Sequence, residues 1–157
     1  EKSWEDSKNI YAREKMAIAS LLSGLAIGIT DTNLAHAMSH PLSAHYHVPH
    51  GIAVLLCTFQ SIQFNKSIVN DKYSDIAKLL DNKNNKNHIE FLIEKIHKWA
   101  KKFGVSLRFQ DYDIPKTAID SFVLDSLKIG GILTNPRPIS SEQLKNLYEK
   151  AWAGKID

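Results

Sequence analysis

The chain has 157 residues, a net charge of +3, 43% hydrophobic and 24% charged residues, the balance of a globular domain with one core. No block of like charge is longer than a pair or two, which argues against a nucleic-acid partner. The single cysteine, Cys57, excludes an internal disulfide and fits a cytoplasmic, reducing compartment; the most apolar run, Met16 to Ile29, is too short to cross a bilayer and does not read as a signal peptide, so no membrane partner is expected.

In chain order, Ile10, Met16, Ile18, Leu21, Leu22, Leu25 and Ile29 recur at helical spacing. They predict a helix over Asn9 to Ile29 whose second half is apolar nearly all round, hence central and buried. Thr30-Asp31-Thr32 offers a stop and a new N-cap for a second helix, Leu34 to about Tyr46. Pro49 fits the first position of a third, running through Ile62, and Tyr73 to Leu80 reads as a shorter one. Lys83 to Asn87 is the most loop-like segment. Asn87 with Glu90 forms a capping box for a helix through Trp99, which Gly104 ends. Pro115 opens a further helix to about Ile129, and Ser140 with Gln143 caps the last, through Trp152. The one strand candidate, Ser106 to Phe109, is isolated. The expected fold is therefore a single all-α domain of about seven helices over residues 1–157, with no internal repeat.

Five of the seven histidines fall between His36 and Gly51. His36 and His40 are four apart and share a helix face. His50 follows Pro49 at the start of a helix, where the positive end of the dipole favours a neutral ring able to bind a metal. The three are candidate ligands for one ion, and spacing alone leaves open whether His40 joins His36 and His50. Pro41 removes the amide that would donate to Ala37 and biases His40 away from helical dihedrals, which predicts a kink there. His45 and His47, alternating about Tyr46, read as packing residues or supports for the ligands. His88 and His97 read as surface residues. A carboxylate companion is missing: no Asp has a His four residues after it, and His-Glu-x-x-His, Gly-rich phosphate loops and nucleophile elbows are all absent. The residues give half of a metal site, and the residues that would bind a nucleotide cofactor are unknown.

His36-Ala37-Met38-Ser39-His40-Pro41-Leu42, followed by His47-Val48-Pro49-His50-Gly51, resembles the signature of the iron-containing (group III) alcohol dehydrogenases. Ala12-Arg13-Glu14-Lys15-Met16, and Leu133-Thr134-Asn135-Pro136-Arg137 with the helix through Tyr148 and Ala151, agree with it, so the resemblance covers nearly the whole chain. It implies the helical, metal-binding C-terminal half of a dehydroquinate synthase-like fold. The family's four metal ligands are an Asp and a His four apart on an earlier helix, then two later histidines, which match His36 and His50. His40 would lie beside the site in a catalytic role. The resemblance implies Fe²⁺ or Zn²⁺, and NAD(P) on an N-terminal nucleotide-binding domain that has no counterpart here. The small alcohol or aldehyde substrate then belongs to the complete enzyme, homo-oligomerisation stays open, and the chain alone is expected to be inactive. Many members carry Cys where this chain has Gly131. Two other readings compete: a stand-alone helical binding domain, and a small metal-binding protein using His36, His40 and His50.

Overall fold

The structure is a computed structural model that describes residues 1–80 and 87–155; the expected loop from Lys83 lies outside these residues except for Asn87. Seven α-helices and three short 3₁₀ turns make up the described residues, with no strand among them. The helices are α1 (Lys2–Glu5), α2 (Ile10–Thr30), α3 (Leu34–Tyr46), α4 (His50–Leu80), α5 (His88–Lys102), α6 (Ile119–Ser126) and α7 (Ser141–Trp152). Ser106 to Phe109 is therefore not a strand: it is extended chain that enters a 3₁₀ turn at Phe109.

Local capping explains most boundaries. Asn9 Oδ1 accepts the Ala12 amide at 3.0 Å, and Asn87 Oδ1 accepts that of Glu90 at 3.2 Å. Ser140 and Gln143 complete a reciprocal capping box at the start of α7. Gly104, at φ +70°, ends α5: its amide donates to Lys101 O while that of Val105 reaches back to Ala100 O. This pairing needs a left-handed residue, which glycine adopts at no steric cost.

Four boundaries differ from expectation. Asn33 caps α3 in place of a residue of Thr30-Asp31-Thr32, accepting the Ala35 amide at 3.1 Å. The third and fourth expected helices are one, α4, bent at Val69. The helix expected from Pro115 is shorter, a 3₁₀ turn leading into α6. Finally, α3 runs through Pro41 without a break, and His40 is helical. A mid-helix proline costs on the order of 3 kcal/mol, but Met38 and Leu42 are wholly buried, each worth roughly 1.5–3 kcal/mol. The buried Tyr148 hydroxyl also donates to Met38 O at 2.7 Å, next to the carbonyl that Pro41 leaves without its amide.

The core sits where α3 packs against α4 and α6, closed by α7 and built around Leu34, Met38, Leu42, Phe109, Phe122, Leu144 and Tyr148. A smaller cluster, Phe59, Ile62 and Ile93, joins α4 to α5. Among the described residues α4 is long and apolar enough to cross a membrane, but half of that stretch is buried inside the domain, as in a soluble core helix.

The largest correction concerns α2. The helix forms as expected, yet only Ala12 is buried; Leu21, Leu22 and Leu25 are 63%, 59% and 58% exposed. Hydrophobicity on every face predicts burial, but among the described residues only the short α1 packs against α2 to more than a slight extent.

Candidate metal centre

His36 lies in the first turn of α3, where its amide donates to Asn33 O at 3.0 Å. His50 is the first residue of α4, and the Pro49 carbonyl accepts the amides of Ile52 and Ala53 at 2.8 and 3.0 Å. The turn between the helices is closed by His47 in the left-handed region at φ 54°. Together these elements bring the His36 and His50 rings to 5.4 Å between centroids, inclined at 55°. The His40 ring lies 6.2 Å from that of His50, edge-on at 73°.

The first spacing suits a shared ion. Two imidazoles bound tetrahedrally through nitrogens at about 2.1 Å place their centroids about 5 Å apart. Burial, and then the proximity of His50 and His40, hold the His36 pKa below its ordinary value, so the neutral ring that a metal requires is favoured. Among the described residues, however, no group of three or more His, Cys, Asp or Glu side chains is arranged to hold a metal ion. The described residues thus supply no complete metal site, and the donors that come close enough to share an ion are the two imidazoles of His36 and His50.

His36 also borders a cleft of about 530 Å³ lined by Asp31, Thr32, Thr58, Lys72 and Tyr73 among others. This cleft was not apparent in the sequence, since its walls come from α2, α3, α4 and the stretch after α6. The remaining histidines lie elsewhere. His45 pairs with Asp125 at 3.0 Å, its ring parallel to that of Phe122. His47 and His97 are exposed, the latter as expected. His88 departs from the surface reading: it is half-buried, and its Nδ1 meets Ser74 Oγ at 2.7 Å.

A close histidine pair at two helix starts, on an all-helical domain, coincides with a family match. Residues 1–152 match the Fe-containing alcohol dehydrogenase family, C-terminal. The chain belongs to that family. Among curated relatives, the lactaldehyde reductase of Escherichia coli (strain K12) is 28% identical over 148 residues, covering 90% of this chain and 38% of its own length. The NADPH-dependent butanol dehydrogenase of Clostridium saccharobutylicum is 29% identical over 159 aligned positions, covering 98% and 40%. A crystal structure of 1,3-propanediol oxidoreductase superposes with a TM-score of 0.90 at 27% identity, over 96% of this chain and 40% of that one. The chain thus corresponds to the C-terminal domain of that family and spans about two fifths of the relatives it matches.

Sequence reasoning missed the polar residues that fasten the site's first helix. Asn65 and Asn135 are buried and exchange side-chain amide bonds at 2.9 Å in both directions. Asn135 stood in the quoted Asn-Pro-Arg motif, but nothing local marked Asn65, seventy positions away, as its partner.

Proposed function

We propose that this chain supplies the C-terminal part of the metal site of an NAD(P)-linked alcohol dehydrogenase, with His36 and His50 as two of the ligands to Fe²⁺ or Zn²⁺. The 5.4 Å approach of their rings carries the reading. When bound, the metal supplies Lewis acidity toward a small alcohol or aldehyde oxygen, and NAD(P) exchanges the hydride. The chain's own part is to hold two imidazoles at that point. His40, exposed and one turn along α3, offers a ring nitrogen to accept the alcohol proton. α3 is continuous through Pro41 without the expected kink, so the assignment rests on the resemblance, on the exposure of His40 and on its longer distance from His50.

Residues 1–157 act as one domain in this reading, and a nucleotide-binding domain is contributed by another part of the enzyme. The apolar surface of α2 supports this, because relatives 38–40% covered by the chain have the additional length to bury it. A cytoplasmic setting goes with it, consistent with Cys57 as a lone, wholly buried thiol.

The test has two arms. The 157-residue chain should show weak Zn²⁺ uptake that His36→Ala and His50→Ala each abolish, and no NAD(P)-dependent alcohol oxidation. In a complete enzyme with the N-terminal part restored, His40→Ala should retain most of the metal and lose turnover. Release of metal by His40→Ala as readily as by His36→Ala would make it a ligand, and turnover by the isolated chain would refute its dependence on another domain.

A further inference from the structure

The stretch from Gly130 to Arg137 crosses the start of α3 and grips it at consecutive residues. Thr134 Oγ1 donates to Thr32 O at 2.6 Å. Gly131 is buried so closely against Asn33 that a Cβ there would lie 2.7 Å from Asn33 O, a separation that real side chains do not reach. That oxygen is engaged: it accepts the amides of His36 at 3.0 Å and Ala37 at 3.1 Å. Asn135 Oδ1 faces the Leu34 amide at 3.4 Å, one of the donors a helix start leaves without an intrahelical partner.

The same stretch is anchored to the middle of α4. Asn135 pairs reciprocally with Asn65, and its Nδ2 also donates to Arg137 O at 2.7 Å. Arg137 Nη1 donates to Phe64 O at 2.8 Å, with the guanidinium 4.2 Å from the Phe64 ring centroid. Buried amides with every bond made have one low-energy arrangement, because a flip exchanges donors for acceptors.

We infer that Gly131, Thr134 and Asn135 are positioning residues that fix the first turn of α3, and so set the His36 ring against that of His50. They touch neither ring. They act through Asn33 O, Thr32 O and the Leu34 amide, which define where the His36 backbone stands. The resemblance noted above places a Cys in many members where this chain has Gly131. Here any side chain at 131 has to move the carbonyl that holds the His36 amide, so this departure from the family and the position of the ligand helix are coupled.

The inference uses the metal reading for its consequence, but the ring geometry tests it independently. In the 157-residue chain, nuclear Overhauser contacts between the His36 and His50 imidazole protons follow from their 5.4 Å centroid separation. The Phe122–Tyr148 contact, at 5.6 Å, serves as a core reference. Gly131→Ala and Thr134→Val should each weaken the imidazole contact while leaving the core reference in place. Thr134→Ser, which keeps the hydroxyl, should preserve both, and so should Ile93→Ala, which destabilises the distant α4–α5 cluster. Zn²⁺ affinity should fall roughly tenfold in the first two variants, the usual scale for losing a residue that orients a ligand. Thr134 is exposed, so its valine variant remains folded and decisive even if Gly131→Ala does not fold. An imidazole contact unchanged in folded Thr134→Val would overturn the inference. A wild-type chain that shows the contact but binds no Zn²⁺ would remove the metal reading and leave the positioning role to the contact alone.

Discussion

Tyr148→Phe removes one oxygen from the centre of the core. Tyr148 is wholly buried, its hydroxyl donates to Met38 O at 2.7 Å, and it lies 2.6 Å from Ser126 Oγ. Ser126 Oγ keeps a second partner in Phe122 O at 2.7 Å, so the substitution leaves no side chain without a hydrogen bond. The packing of the ring on Phe122 survives as well. Two net hydrogen bonds at about 1 kcal/mol each give a loss of about 2 kcal/mol. For a domain of this length that is a fall in Tm of about 6 °C, measured by circular dichroism melting. Burial pushes the Tyr148 phenol well above its ordinary range, so the hydroxyl stays protonated and the difference should be the same at pH 6 and pH 9. The double variant with Ser126→Ala should lose less than the sum of the two singles, because they share one bond. A Tm within about 1 °C of wild type would refute the reasoning, and with it the idea that this hydroxyl helps α3 run through Pro41.

Protonation of His36 should cost stability. Its folded pKa lies below the ordinary value of 6.5, first through burial and then through His50 and His40. The unfolded chain therefore takes up the proton first as pH falls, and stability declines from about 6.5 down to the folded pKa; His36→Gln should flatten that decline in melts at pH 8 and pH 5. Leu21→Glu with Leu25→Glu, on exposed positions of α2, should leave the melting midpoint of the core unchanged while reducing self-association in sedimentation and binding of an apolar dye; a lower midpoint would show α2 to be packed in the isolated chain. Phe59→Ala should cost about 3–5 kcal/mol in chemical unfolding by opening the α4–α5 cluster around a ring that is 1% exposed, and a loss under 1 kcal/mol would show that the site collapses freely.

The parts of this fold that the sequence made legible are those decided within one turn of helix. Asn87 and Ser140 each satisfy the amide three residues on, so their role can be read without knowing the rest of the molecule. Pro41 was read by the same local rule and the rule lost, because burial of Met38 and Leu42 outweighs one missing amide. The exposure of α2 was illegible for a different reason. Hydropathy reports that a surface needs covering and is silent on which polypeptide covers it. At the candidate metal centre, the four-residue spacing to His40 brought out His36, the helix start after Pro49 brought out His50, and the resemblance distinguished both from His40. The polar fastening behind them depends on Asn65 meeting Asn135 across seventy positions, and no periodicity encodes such a meeting.

The order Asn135-Pro136 has a chemical consequence for the lifetime of the molecule. Asparagine ages by deamidation when the backbone nitrogen of the following residue attacks the side-chain carbonyl and closes a five-membered imide. Proline presents a tertiary nitrogen with no hydrogen, so that route is closed at Asn135. Hydrolysis to aspartate there would place a carboxylate in a buried site, 2.9 Å from the Asn65 oxygen that now receives an N–H, and would set two acceptors against each other. A buried amide at the joint between α3 and α4 is thus followed by the one residue type whose backbone nitrogen closes the common path to its conversion into an acid.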